Sequence, residues 1–189
     1  MGNAQSKYKF DFTLIPCVLN SQRSKNMKPT YLFQSQHLGF RPVMNTDLNY
    51  LLELAAADPK YWNESPEKLT SKIKEDIHFF NQKGYGPFLV FDLKSHDFMG
   101  RTGFADFENK INGTHEIEVG YVVLEKYRGQ GYATEMLQAV LAWAGGNIQK
   151  DKIIAIAEVG HTASEKIMQK AGMVFSRRAW IDGEDSVVY

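Results

Sequence analysis

The residues best placed by type and spacing to do chemistry are Arg128-Gly129-Gln130-Gly131. They stand between an apolar run, Val119 to Leu124, and a stretch with Ala133, Leu137, Val140, Leu141 and Ala144 at helical spacing. Glycine reaches backbone conformations that a Cβ forbids, so a Gly-x-Gly turn lets successive N–H groups converge. A helix opening at that turn adds unpaired donors and the positive end of its dipole. Together these suit an anion such as a pyrophosphate. Each dipole contact is worth only about 0.3 to 1 kcal/mol when exposed, so several N–H groups must act together with Arg128. For a bare Gly-x-Gly the plainer alternative is a strand-to-helix turn that holds nothing.

Two nucleotide motifs do not fit. A P-loop needs Gly-Lys-Ser/Thr, whereas Gly131 precedes Tyr132, and the dinucleotide fingerprint needs a third glycine that does not follow Gly131 at the required place.

The elements that must position this loop follow from periodicity and punctuation. Leu38, Phe40 and Val43 alternate around Gly39 and Arg41 and predict a first strand, broken by Pro42 and Asn45. Thr46 can cap a helix with Leu48, Leu51, Leu52 and Ala55 on one face, ended by Asp58-Pro59. Ser65-Pro66-Glu67 starts a second helix, with Leu69, Ile73, Ile77 and Phe80 facing inward and Gly84 closing it. Phe88 to Asp92, Phe98 to Phe107 and Glu116 to Leu124 read as an antiparallel meander. Then come a helix from Gly131 to Ala144, a strand from Lys152 to Val159 and a helix from Ala163 to Ala171. A hairpin joins Met173 to Trp180 with Ser186 to Tyr189 about Asp182-Gly183. Strand alternating with helix in this second half implies parallel pairing there. The order, β-α-α-β-β-β-α-β-α-β-β, is an α/β fold with a mixed sheet covered by helices.

Composition narrows the function classes. The 189 residues fit one domain that buries roughly 70% of the surface of its unfolded chain. Lys plus Arg, 22, equals Asp plus Glu, 22, so no overall field favours nucleic acid or an anionic bilayer. No apolar run approaches the roughly 20 residues of a membrane span, and a cytoplasmic protein is expected. The single cysteine, Cys17, excludes an intramolecular disulfide framework and a multi-cysteine zinc site, and no metal ligands are assigned.

Residues 1–30 are set apart as an N-terminal extension to a domain over residues 31–189. The leader has mixed charge, a short apolar patch at Phe12, Leu14 and Ile15, and a polar run from Asn20 to Asn26. Asp11 interrupts the patch and no cleavage site follows, so it does not read as an export signal. Gly2 with Ser6 matches a short N-myristoylation pattern; the alternative is that Met27 is the true start.

Arg128-Gly129-Gln130-Gly131-Tyr132-Ala133 resembles the Arg/Gln-x-x-Gly-x-Gly/Ala signature of the GNAT N-acetyltransferase superfamily, whose loop wraps the pyrophosphate of coenzyme A. Glu118-Val119-Gly120-Tyr121 before it, and Ala133-Thr134-Glu135 after it, are similar to the branch containing ribosomal-protein alanine N-acetyltransferases. Ser35 to Pro42, Met99 to Phe104 and Ala163 to Met173 resemble that branch's opening strand, third strand and closing helix, so the likeness runs from Tyr31 to Tyr189. His161 departs from the usual asparagine at the start of the last helix, and Ser35 and His37 from the opening threonine and arginine.

The resemblance implies a mostly antiparallel seven-stranded sheet with a splayed parallel pair, and acetyl-CoA as cofactor. It assigns cofactor contacts to the backbone of Val122 and Val123, to Arg128, Gly129, Gln130, Gly131, Tyr132, Ala133 and Thr134, and to His161. A strand N–H there would polarise the thioester carbonyl. Direct attack needs a neutral amine and hence a base. Glu118 aligns with the base position of relatives, with Glu116, of the same parity, as the fallback. Ser164 aligns with the serine proposed to protonate the leaving thiolate. His161 is a reserve candidate, and His115 and His78 read as surface residues.

The acceptor is expected over residues 56–65 and the final hairpin, with Tyr61, Trp62 and Trp180 as candidate walls and Glu64, Glu67 and Asp182 as candidate attractants for a cation. Its identity divides three readings: a peptide N-terminal amine, a small-molecule amine such as a polyamine, antibiotic or amino acid, or no acceptor in a non-catalytic acyl-CoA sensor. A monomer or homodimer is expected.

Overall fold

Apolar residues alternating along the strands divide the interior into two layers, one on each face of a central sheet. The computed structural model describes residues 30–57, 64–109, 114–149 and 152–189. Their order is β1 (Phe33–Gln34), β2 (Leu38–Pro42), α1 (Leu48–Ala57), α2 (Pro66–Lys83), β3 (Pro87–Asp92), β4 (Phe98–Asn109), β5 (Thr114–Val123), a 3-10 turn (Glu125–Tyr127), α3 (Tyr132–Asn147), β6 (Ile153–Ile154), β7 (Ile156–Glu158), α4 (Thr162–Lys170), β8 (Arg177–Ile181) and β9 (Glu184–Val188). One layer packs Phe40, Phe88, Phe104, Ile117 and Val119 against Met136, Val140 and Trp143 of α3. The other packs Leu89 and Phe91 against Leu51 and Leu54 of α1 and Leu69 and Ile73 of α2. Phe33 stacks on Phe40 at 4.5 Å between ring centroids, and Phe88 meets Trp143 edge-on at 5.0 Å. Such aromatic pairs are worth about 0.5 to 1.5 kcal/mol each beyond their burial.

Local signals explain the helix ends. Ser65 accepts from the Lys68 N–H, Pro66 opens α2, and Gly84 closes it in a left-handed conformation at φ 76°. α1 begins after Asp47 rather than after Thr46. Asp47 is committed to tertiary contacts: its carboxylate accepts from both Arg41 Nη groups, at 2.7 and 2.8 Å, and from the Met44 N–H. The Arg41 guanidinium also lies 4.8 Å from the Phe91 ring centre. Asp58-Pro59, Tyr61, Trp62, Cys17 and the Gly2 and Met27 features lie outside the described residues.

Six strands form one sheet in the order β1-β2-β3-β4-β5-β6, and β7-β9-β8 form a second. Neighbours are antiparallel except the β5–β6 pair, Ile117 with Ile153 and Glu118 with Ile154. All seven expected strands occur. They are not one sheet, however, because the strand expected from Lys152 to Val159 parts at Ala155. There the backbone turns to β9: Ala155 N–H donates to Tyr189 O at 3.1 Å and Tyr189 N–H to Ala155 O at 3.0 Å. The hairpin thus supplies the partners that backbone groups require, and draws β7 away from β5. The hairpin is shorter than expected because Met173 N–H is taken by Met168 O, with Gly172 at φ 91° ending α4. Asp182 and Gly183, at φ 50° and 87°, make the tight turn expected of that pair.

Candidate functional site

The loop between β5 and α3 carries the positive φ angles that its glycines suggest, 74° at Gly129 and 89° at Gly131. A Cβ at either would meet nothing within 4 Å, so conformation, and not crowding, calls for glycine here. Thr134 and Glu135 N–H groups both donate to Gly131 O, which starts α3. The N–H groups of Gly129, Gln130, Gly131, Tyr132 and Ala133 have no acceptor among the described residues. Five consecutive donors at a helix start are therefore left without an acceptor among the described residues.

Side chains fix this loop from both ends. Arg128 Nε donates to Val123 O at 3.0 Å and Gln130 Nε2 to Lys126 O at 3.2 Å. Glu135, in the first turn of α3, accepts from Ser35 Oγ at 2.7 Å and His37 N–H at 2.8 Å, and pairs with His37 Nδ1 at 2.9 Å. Sequence reasoning missed this clamp.

Beside the loop lies an open strand edge. β4 covers one edge of β5 from Thr114 to Val123, and Thr102 Oγ1 adds a bond to Gly120 O at 2.9 Å. On the other edge β6 pairs only with Ile117 and Glu118. From Val119 to Val123 no strand pairs with that edge among the described residues. Val122 and Val123 point their side chains into the two apolar layers, which leaves their backbone as the surface they present.

Glu118 stands where the two strands separate. It shares a face of β5 with Gly120 and Val122, the side of α1 and α2. A Cβ on Gly120 would meet nothing within 4 Å, so the space next to Glu118 is open. No hydrogen bond to its carboxylate occurs among the described residues; burial pushes its pKa up and the nearby charge of Asp182 pushes it further. Glu116 is different. Arg177 Nη2 and Lys152 Nζ bind it at 2.8 and 3.0 Å, and these bonds, Arg177 first, outweigh burial and hold its carboxyl below the usual range.

Ser164, the third residue of α4, lies on the opposite side of β5. Its Oγ is 2.7 Å from Tyr121 Oη. Burial raises the Tyr121 pKa, an effect the Ser164 hydrogen bond opposes. Tyr121 is a second residue that sequence reasoning missed. His161 precedes α4, exposed, with no side-chain capping bond. Trp180 is 69% exposed in β8, and strand alternation sets it on the face opposite Arg177.

A family model described as a GNAT acetyltransferase domain matches residues 37–174. The chain belongs to the GNAT acetyltransferase family. It is 31% identical over 153 residues to the uncharacterized protein YkkB of Bacillus subtilis, covering 77% of this chain and 88% of that protein. The fold superposes on a putative GNAT-family acetyltransferase from Bordetella pertussis with a TM-score of 0.75 at 15% identity, over 82% of this chain and 96% of that one. A ribosomal L7/L12 alpha-N-protein acetyltransferase, RimL, solved with coenzyme A, gives 0.66 at 18% identity over 82% and 94%. In this GNAT domain the five donors without an acceptor and the unpaired β5 edge are consecutive along the chain, and both suit an elongated ligand with a diphosphate. Among the described residues no group of three or more His, Cys, Asp or Glu side chains could hold a metal, and no helix is long and apolar enough to cross a membrane.

Proposed function

We propose that this GNAT protein transfers the acetyl group of acetyl-CoA to a primary amine by direct attack in a ternary complex. One observation carries the reading: five consecutive N–H groups without an acceptor among the described residues, Gly129 to Ala133, stand next to an unpaired strand edge that ends at a half-buried carboxylate, Glu118. The N–H groups of Gly129 to Ala133, with the Thr134 hydroxyl and Arg128, would hold the diphosphate. The edge at Val122 and Val123 would accept the arm, and His161 would border it. Acetyl-CoA supplies an activated thioester.

The remaining chemistry belongs to the chain. Glu118 takes the proton of the incoming ammonium, a role for which a raised pKa suits it at neutral pH. Glu116, committed to Arg177 and Lys152, is a structural ion pair in this reading. Ser164 gives a proton to the leaving sulfur from the other side of β5.

The acceptor we favour is a peptide N-terminus, supported by the fold likeness to RimL; a small free amine is the second reading, supported by the open space next to Glu118 and the neighbouring charge of Asp182. A panel of N-terminal peptides and small amines, read by thiol release, tests both. Turnover on free small amines alone removes the peptide reading, and thermal stabilisation by CoA with no turnover on any amine reduces the protein to an acyl-CoA sensor.

A further inference from the structure

We propose that Tyr121 is the positioning residue that makes Ser164 a proton donor, an inference that rests on the acetyl-transfer reading above. Tyr121 Oη lies 2.7 Å from Ser164 Oγ and 3.2 Å from Ser164 O. Each hydroxyl has one hydrogen to give and lone pairs to accept with. Two arrangements satisfy the distances. In the first, Ser164 donates to Tyr121 and Tyr121 donates to the Ser164 carbonyl, so the serine hydrogen is spent. In the second, Tyr121 donates mainly to Ser164 Oγ, with the Ser164 carbonyl sharing the same hydrogen at 3.2 Å, and the serine hydrogen is released to a third partner.

The leaving sulfur selects the second arrangement. Among the described residues Ser164 Oγ has Tyr121 as its one hydrogen-bond partner. A serine one turn into a helix otherwise rotates freely or bonds back to the preceding turn, where it donates to nothing useful. Tyr121 cannot follow it, because its backbone is held in register with Thr102 of β4 and its ring packs with the α3 layer. A fixed phenol thus aims a mobile hydroxyl.

The protons balance. As the new C–N bond forms and the C–S bond breaks, the sulfur electron pair takes the Ser164 Oγ proton. The Tyr121 Oη proton moves to Oγ, and water restores the phenol. The ammonium gives up two protons through Glu118 to water, one before attack and one once the C–N bond has formed; the second replaces the proton that water gives the phenol, so one proton is released per turnover. Two hydroxyls in series polarise one another, so the pair is a better donor than serine alone.

Tyr121→Phe, Ser164→Ala and the double variant test this in the full chain with acetyl-CoA and whichever amine the panel identifies. Tyr121→Phe is expected to lower kcat on the order of tenfold or more while KM for acetyl-CoA and Tm hold. The double variant should be no slower than Ser164→Ala, since groups acting in series do not multiply their losses. A second readout uses 3,5-difluorotyrosine at position 121, which acidifies the phenol at nearly constant size; the alkaline limb of kcat should move to lower pH. Full kcat in Tyr121→Phe, multiplying losses, or an unmoved alkaline limb overturns the pairing but leaves acetyl transfer standing. No thiol release from the parent with any amine overturns the transfer reading, and the pairing with it.

Discussion

Arg177 grips Glu116, Nη2 to Oε2 at 2.8 Å, and so distinguishes two carboxylates that share one face of β5. Glu116, its side chain 11% exposed, has two cations; Glu118, two residues on, has none among the described residues and feels Asp182 instead. Identical side chains on one strand are therefore in opposite electrostatic situations.

Substituting each should give opposite results. Glu118→Gln is expected to lower kcat about a hundredfold or more, keep CoA affinity, and raise Tm at pH 7. The sign follows from its raised pKa: stability is full while the group is protonated below its unfolded value, and is lost as pH rises through the folded one. Glu116→Gln should cost about 1 to 3 kcal/mol by breaking charged hydrogen bonds. Its lowered pKa stabilises above the ordinary glutamate value and loses that contribution as pH falls through the folded one. Thermal melts against pH, with turnover, check both.

The pH-rate profile should report Glu118 directly. Its acidic limb in kcat/KM is expected above the roughly 4.3 of an ordinary glutamate, because burial must be overcome before the base ionises. Asp182→Asn removes a negative charge that raises this pKa, so the limb should shift toward acid. A limb unmoved by Asp182→Asn assigns the base elsewhere.

Gly131→Val probes the loop. A branched side chain at φ 89° costs roughly 1 to 2 kcal/mol of stability, and the loop relaxes away from convergence. CoA affinity by calorimetry should fall by more than that destabilisation accounts for. Equal affinity in variant and parent would contradict the anion cradle.

Glu135→Ala should act on the same loop from behind. It removes the acceptor of Ser35 Oγ, His37 N–H and His37 Nδ1, with an expected loss of about 1 to 3 kcal/mol. Weaker CoA binding should accompany the lower Tm, since the first turn of α3 is then no longer tied to the β1–β2 turn. Melting curves with and without CoA separate the two effects.

Much of the fold was legible because its signals are local. Ser65-Pro66 and Gly84 mark the ends of α2, Asp182-Gly183 marks the hairpin turn, and the glycines at 129 and 131 take the positive φ that the motif implies. What escaped is set by partners far along the chain. Nothing near Glu116 or Glu118 separates them; the difference is Arg177, 61 positions away. Tyr121 reads as one more apolar strand residue until Ser164, 43 positions on, meets its hydroxyl. Lys152 to Val159 has the composition of one strand, and only the competing pairing with β9 divides it at Ala155.

That division has a mechanical side. Tyr189 bonds Ala155 through both backbone groups, while its phenol donates to Glu165 of α4 at 3.1 Å and accepts from Gln169 at 2.9 Å. One residue therefore acts as a tie rod, joining the point where the strands part, at Ala155, to the helix that carries Ser164.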